Sequence, residues 1–555
     1  MKLLALSLAM VAFAASKTVP LHPPTADSLI SQALAALGGE KAIAGIEGIT
    51  YHSPNLMQSY NLYKADTAVA ISGSQNVSFS YASDQLIQRI DRTFKPSEYW
   101  YWTSARLDEF DYSLVVHGGK DGFACYVHGN NQIWLPANLT SGYVDAALAE
   151  FLVRQGNVFS PKLLLEMKAH QGVKAIEIFI NGIKTPAVYD PVLEITIIFD
   201  VSSHLLHIIR TEENHMIYGP STNDLYLSQY KAIEGIKFPH TFQTVYNSTT
   251  QKLDATLEEV IVEEITINPR FPKDCFNGLS EGNGFFPKEA PKKTEGLSHA
   301  HILEFSSNML WSGPGSGISN NSVDSIKHKN IPGLPNAHWI IVNDDFLGVK
   351  QFVVEFEDRV IVGDAPRQWT KQVIEWIDKN IAKPTKYLWP THHDQDHSGG
   401  AAEYVKIGAK LIVPEIAASY WSSIPGAELI TFNETYPYIH SDSKHQAWFI
   451  CEDQATHSVD WSYAFVTDKC PTNKSGIAVI EADAWHPGMP DANNDRWEMR
   501  EWLGQLDKDG LPESAYVIPT HGQISQVSEF IEHTNYVYPP KTIGDWKNGG
   551  ALCKV

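Results

Sequence analysis

Through the first half of the chain, apolar and polar residues alternate with the period of two that a half-buried strand requires. The clearest runs are Leu193 to Phe199, Leu205 to Thr211, Leu225 to Tyr230, Phe238 to Tyr246 and Leu257 to Ile267, all rich in β-branched and aromatic residues. They predict an antiparallel, β-rich domain. Glu234-Gly235-Ile236-Lys237-Phe238-Pro239 reads as a tight turn between two of its strands. Ahead of them, Leu29 to Ala44 reads as a helix that contains Ala36-Leu37-Gly38-Gly39. The aromatic run Tyr99-Trp100-Tyr101-Trp102 is read as sheet core, with an apolar ligand groove as the competing reading.

The rhythm breaks across residues 276–300, where Gly278, Gly282, Gly284, Pro287, Pro291 and the polar stretch Lys288 to Glu295 read as a linker. Beyond it, short apolar strands alternate with helix-period segments. Strands are expected at Trp339 to Val342, Val349 to Glu355 and Arg359 to Val362. Gln368 to Asn380 then sets Val373, Ile374 and Ile377 at helical spacing, continued by Ile381. Tyr387 to Trp389 reads as a strand, Ser398 to Ile407 as a helix and Lys410 to Val413 as the next strand. The expected division is a leader over residues 1–16, a β-rich domain over 17–275, the linker over 276–300, a second domain over 301–540 and a tail over 541–555.

The leader has a basic start, Met1-Lys2, and an apolar run from Leu3 to Ala15 that is too short to span a bilayer. Small residues at Ala12, Ala14 and Ala15 suit signal-peptidase cleavage, so a secreted or otherwise exported protein is expected. No later run is long and apolar enough to cross a membrane. Export gives meaning to six Asn-x-Ser/Thr triplets, opened by Asn76, Asn138, Asn247, Asn320, Asn433 and Asn473, as glycosylation sites. It also makes disulfides plausible: Cys451 with Cys470 and Cys125 with Cys275 are candidate pairs, with Cys553 the natural one to be left over, but the pairing is not legible from the sequence. No Cys-x-x-Cys is present to suggest a thiolate metal site.

Composition narrows the function. The 555 residues are 43% apolar and 11% aromatic, enough to fill more than one core. The net charge of −21 repels a polyanion, so nucleic acid is not expected as a partner. A small-molecule substrate, with lipophilic ones among the candidates, fits better; the oligomeric state is not legible.

The most informative stretch is Thr391-His392-His393-Asp394-Gln395-Asp396-His397-Ser398-Gly399-Gly400, which packs five metal-ligating residues into six positions just after a strand. Residues i and i+2 at a strand end converge on one ion, and the Asp-His pair that follows reaches a second. Adjacent strand-end residues point opposite ways, so His393 and Asp394 compete for one ligand position.

This stretch resembles the His-x-His-x-Asp-His signature of the metallo-β-lactamase superfamily, with Asp394 where the family usually carries His. Further matches follow in order. Val360-Ile361-Val362-Gly363-Asp364-Ala365-Pro366 is similar to the strand that ends in a supporting Asp. His457 sits in Ala455-Thr456-His457-Ser458, without the usual preceding Gly. Asp483 ends Val479-Ile480-Glu481-Ala482-Asp483 like the family's metal-bridging Asp, and Pro519-Thr520-His521-Gly522 resembles Pro-Gly-His-Gly.

The resemblance implies a C-terminal four-layer αββα sandwich, and so an α+β protein overall. It implies two divalent metal ions, zinc in first place with manganese or iron as alternatives, since Asp394 adds a hard oxygen donor. His392, Asp394 and His457 would hold one ion and Asp396, His397 and His521 the other, with Asp483 between them. The reaction it implies is attack by a metal-bridged hydroxide on an ester, lactone, amide or sulfate bond, with Asp396 orienting the nucleophile. Two alternatives stand beside it. One is a lipophilic-ligand carrier with a structural or vestigial metal domain; the other is an iron-dependent redox enzyme, although no flavin-binding sequence accompanies the diiron type. More loosely, residues 30 to 270 are similar in pattern to the half-barrel of periplasmic lipoprotein carriers. His393, His440, His445 and His486 carry no family role, although His486 lies close to Asp483 in sequence.

Overall fold

The computed structural model describes residues 24–59, 70–83, 85–95, 110–119, 122–129, 141–143, 146–215, 219–248, 253–277, 322–342, 349–366, 369–452, 455, 457–488 and 497–554. The leader, the Tyr99 to Trp102 run, most of the linker, Asn138, Asn320 and the Cys125 side chain lie outside this set. The described chain is a mixed α/β, strand-rich protein with three large sheets. Among the described residues, no helix is long and apolar enough to cross a membrane.

The first half opens with helix Ala26–Leu37, capped by the Thr25 hydroxyl accepting from Ser28 N–H at 3.2 Å. The single helix expected over Leu29 to Ala44 is broken in two, the second piece being Glu40–Ala44. Gly38 causes the break. It adopts φ +126°, and a Cβ there would sit 2.5 Å from the Gly235 carbonyl oxygen. Gly235 belongs to the expected turn, where Glu234 and Gly235 both have positive φ and join strands Lys231–Ile233 and Ile236–Phe238.

The period-two runs are strands of one large antiparallel sheet. Its middle runs from Leu86–Lys95 through Ala70–Ser80, Gly48–Ser59, Leu253–Ile261, Thr241–Ser248 and Gly219–Ser228 to Leu206–His215. Two expected strands are each divided in two. Pro239-His240 separates Ile236–Phe238 from Thr241–Ser248, and the second part of Leu257 to Ile267, Glu264–Ile267, pairs with Gly48–Ser59 instead of continuing its own line. Proline cannot donate to a ladder, which explains the first division. Leu29, Ile30 and Leu34 of the first helix share one core with Leu152, Leu163 and Met167 from helices Ala146–Phe159 and Leu163–Ala169 and with Ile49, Phe79, Leu114 and Ile197 from the sheet.

In the second half a seven-stranded sheet comprises Lys327–Ile331, Leu334–Ile341, Lys350–Glu355, Val360–Gly363, Thr385–Trp389, Lys410–Pro414 and Leu429–Phe432. A six-stranded sheet comprises Tyr438–Ser441, His445–Cys451, Ser462–Asp468, Ile477–Glu481, Tyr516–Pro519 and Ser525–Gln526. One hydrophobic cluster draws Ile341, Phe352, Trp389 and Ile412 from the first of these sheets and Phe449, Ala464, Ile480 and Ile518 from the second. Helix Thr370–Asn380, with Val373 and Ile377 buried as its spacing predicts, packs over the seven-stranded sheet together with Ala401–Lys406. Trp502, Leu506 and Phe530 of helices Trp497–Asp509 and Val527–Thr534 pack over the six-stranded one.

Each sheet contains a parallel pair that matters for the site. Val360–Gly363 runs parallel to Thr385–Trp389, and Ile477–Glu481 runs parallel to Tyr516–Pro519. The carboxyl ends of each pair therefore lie side by side, where ligand-binding loops gather in sheets of this kind.

Two expectations about covalent decoration change in the light of the fold. Cys451 is buried at the end of its strand while Cys470 is exposed, and both are free, so the Cys451–Cys470 disulfide is not formed. Cys275 is free as well. Among the sequons, Asn76 and Asn473 are exposed. Asn247 and Asn433 donate their Nδ2 atoms, the point of glycan attachment, to Asp224 at 2.9 Å and Glu415 at 2.8 Å.

Candidate metal centre

The site is built where the four parallel strand ends meet. Asp364 leaves strand Val360–Gly363 and Asp483 follows strand Ile477–Glu481, and both sit in the left-handed region, at φ +61° and +68°. Aspartate tolerates that conformation better than most residues, and the kink turns each carboxylate out of its strand line. Asp364 then ties three segments together. Its carboxylate accepts from Thr391 N–H at 2.8 Å, from Thr520 Oγ1 at 2.7 Å and from His397 Nδ1 at 2.9 Å.

The loop that carries Asp483 is held by a residue the sequence did not flag. Glu481 is fully buried, and its carboxylate accepts from the N–H groups of Ala484 and Trp485. Trp461 Nε1 donates to Ala482 O at 2.7 Å from the other side. The loop that carries His392 is fastened across the sheets as well: Ser462 N–H donates to Thr391 O at 2.8 Å and Trp389 Nε1 to Ser462 Oγ at 3.0 Å. Gly400 closes the loop. Its N–H donates to Ala365 O at 2.7 Å, and a Cβ there would meet Thr370 Oγ1 at 1.8 Å.

All seven expected ligands are brought to one place. His392, His457 and Asp483 form one buried triad, and Asp396, His397 and His521 form a second; within each, the donor atoms lie within 4.8 Å of one another. Asp483 touches both. Its Oδ2 lies 3.3 Å from His392 Nε2, 3.4 Å from His457 Nε2 and 2.9 Å from His397 Nε2, and its Oδ1 lies 3.6 Å from His521 Nε2. Asp394 stands at the edge of the first triad, 3.5 Å from His392 Nε2 and 4.0 Å from His457 Nε2. Asp396 lies 3.3 Å from the Nε2 atoms of His397 and His521, with its side chain 44% exposed, and is the open side of the cluster.

His393 and Asp394 point in different directions. His393 Nδ1 is 2.9 Å from the buried Asp460 carboxylate, which also accepts from Ser458 Oγ. The ring is thus committed beside the cluster while Asp394 faces it. Asp460 was quoted in the sequence without a role; only the fold brings it to His393. His486 is also drawn in, with Nε2 3.2 Å from Asp483 Oδ1 and its ring stacked on that of His521 at 5.9 Å. His440 instead packs against Phe356 and Tyr387.

The histidines are oriented. His397 has Nδ1 on Asp364 and His392 has Nδ1 3.1 Å from Thr391 Oγ1, so each presents Nε2 to the centre. Such outward anchors fix the ring and its tautomer in metal sites. The cluster is strongly polarised. Burial alone would depress the His392 imidazole, but the Asp394 and Asp483 carboxylates overturn this and raise it to about 9. Burial likewise opposes charge on His397, yet Asp396, Asp483 and Asp364 raise it well above its ordinary value. Burial pushes the Asp483 carboxyl up, and His397, His392 and His457 outweigh it and hold it well below the usual carboxylate range. His457 goes the other way, because burial outweighs the pull of Asp483. Four imidazoles and three carboxylates converging on one point are a donor set that suits divalent cations of the zinc, manganese and iron type.

No protein-family model matches the chain, and no curated protein sequence matches it. Among solved structures it is similar to a metallo-β-lactamase from Pontibacter korlensis, at 16% identity over 38% of this chain and 97% of that one, with a TM-score of 0.31. A metallo-β-lactamase from Hirschia baltica matches at 16% identity over 39% of this chain and 99% of that one, with a TM-score of 0.29. A mutant flavo di-iron protein from Thermotoga maritima matches at 12% identity over 38% of this chain and 60% of that one, with a TM-score of 0.31.

Proposed function

We propose that the C-terminal part of the chain is an αββα sandwich of metallo-β-lactamase type and that the protein is an exported, dinuclear metal-dependent hydrolase. The observation that carries this reading is the meeting of two His/Asp triads on the single carboxylate of Asp483. His392, Asp394 and His457 would hold one divalent ion and Asp396, His397 and His521 the other, with Asp483 shared. Ions in such a pair acidify a coordinated water and polarise the substrate oxygen.

The chain's own residues supply the rest. Partial burial raises the Asp396 carboxyl, but the neighbouring His397 and His521 rings outweigh it and keep it deprotonated. From the open side of the cluster it would orient an attacking water. Asp364 and Thr391 keep the rings of His397 and His392 fixed through the cycle. No Ser or Cys nucleophile is needed, and the Gly-x-Ser-x-Gly run Gly278-Leu279-Ser280-Glu281-Gly282 lies in the stretch read as a linker. The bond attacked is an ester, lactone, amide or sulfate.

A panel of such substrates, assayed before chelation, after chelation and after restoring zinc or manganese, tests the reading. Hydrolysis lost on chelation and recovered with metal is expected; hydrolysis indifferent to chelation would overturn it. One observation favours a second reading, in which the N-terminal sheet carries a lipophilic ligand. A cleft of about 120 Å³ between helix Ala146–Phe159 and the sheet is lined by Phe151, Val158, Phe159, Ile195, Ile209 and Leu225. On that reading the purified protein would hold lipid and show no hydrolysis.

A further inference from the structure

Away from the metal centre, two exposed cysteines come together that are far apart in sequence. Cys470 lies in the turn that follows strand Ser462–Asp468, and Cys553 lies in the one-turn helix Ala551–Lys554. Cys553 Sγ is 3.6 Å from the carbonyl oxygen of Lys469, the residue that precedes Cys470, and the nearby Cys470 side chain pushes the Cys553 thiol up.

The segment that delivers Cys553 is docked by contacts that do not involve the thiols. Trp546 is 3% exposed and packs on Phe465 with ring centroids 5.4 Å apart. Lys547 N–H donates to Asp509 O at 2.9 Å. The buried Gln446 amide donates at 3.0 Å to Gly549 O and at 3.1 Å to Lys469 O, so a single side chain joins the two stretches that carry the cysteines. The thiols are thus held in register by the fold, and their exposure leaves them open to a small oxidant.

We propose that Cys470 and Cys553 form a disulfide that clasps the C-terminal segment onto the six-stranded sheet. Oxidised glutathione is the oxidant. The thiolate of one cysteine attacks the glutathione disulfide and releases one glutathione thiol; the second cysteine then displaces the other. One protein S–S bond forms, one glutathione S–S bond breaks, and two electrons and the two thiol protons pass to two reduced glutathiones. The closed loop from Cys470 to Cys553 contains both Asp483 and His521, so the clasp restrains the half of the metal site that these residues supply. It stands whether or not the site is hydrolytic.

The test equilibrates the full chain with oxidised and reduced glutathione, alkylates remaining thiols, and maps peptides without reduction. The expected result is a Cys470 peptide linked to a Cys553 peptide, and a melting temperature that falls by about 5 to 10 °C on reduction. In the Cys553→Ser variant, Cys470 should be recovered alkylated or as a glutathione adduct, with the melting temperature of the reduced wild type. Both cysteines alkylated under oxidising conditions, either one linked elsewhere, or a variant that melts like the oxidised wild type would overturn the proposal.

Discussion

Replacing Asp364 by Asn perturbs the metal centre without touching an expected ligand. The change is isosteric, leaves no cavity, and places an Asn at φ +61°, where Asn is well tolerated. The carboxylate now accepts three hydrogen bonds: Thr391 N–H on Oδ1, and Thr520 Oγ1 and His397 Nδ1 on Oδ2. An amide keeps one acceptor oxygen. With that oxygen on Thr391, its NH2 can donate to the Thr520 hydroxyl, which accepts as well as donates, but it faces the His397 Nδ1–H and that bond is lost. A hydrogen bond to a charged group is worth about 1.5 to 3 kcal/mol, and tenfold in affinity corresponds to about 1.4 kcal/mol. Loss of the His397 anchor therefore weakens the ion held by Asp396, His397 and His521 by roughly 10- to 100-fold, the range found when such partners are removed. In the triad of His392, His457 and Asp483, His392 is anchored on Thr391 Oγ1 instead, and this triad should keep its ion. Competition with a chelator of known affinity, read by metal analysis and paired with circular dichroism to confirm the fold, gives both constants. Two ions bound at wild-type affinity would refute the reasoning, and so would equal weakening of both.

Further outcomes follow from the same geometry. Metal uptake should release protons, because imidazole must be neutral to coordinate and His392 sits at about 9; calorimetry at pH 7 in buffers of different ionisation enthalpy should give at least one proton released, and none would contradict the polarised cluster. For the metal-free protein, the raised His392 contributes stability that is full below its ordinary pKa of 6.5 and lost as pH rises through about 9. The depressed Asp483 contributes stability present above 3.8 and lost on acidification, so metal-free melting temperatures should peak between these limits and metal-loaded ones should not fall toward pH 9. Gly400→Ala drives a Cβ into Thr370 and should cost about 1 to 3 kcal/mol and lower metal content, whereas Gly408→Ala, with open space around it but φ +86°, should cost stability only. Trp546→Ala, measured by urea unfolding, should cost about 3 to 5 kcal/mol; a loss below 1 kcal/mol would mean the segment is not docked as described.

Much of the site was legible because its residues are local in sequence or stand at strand ends. His392 to His397 cluster within one loop, and Asp364, Asp483 and His521 each close an apolar strand that the pattern reveals. What the sequence hid depends on direction and on distant contact. Nothing in Thr391-His392-His393 says which ring turns toward Asp460, and Glu481 reads as an ordinary polar residue until its burial beneath the Asp483 loop is seen. The cysteines show the same limit. Cys451 and Cys470 are near in sequence but differ in burial, whereas Cys553 reaches Cys470 only because Trp546 and Gln446 dock the intervening chain. The break at Gly38-Gly39 was visible as composition, but its cause, the approach of Gly235, is a tertiary contact.

The central claim is that Asp483 joins two metal sites into one centre, and metal content is its most direct test. Purified without metal supplementation, the wild-type chain should carry two equivalents of zinc, manganese or iron, while Asp483→Ala, with its fold retained by circular dichroism, should carry one or none. A wild type free of metal, or an Asp483→Ala variant that still binds two ions, would contradict it.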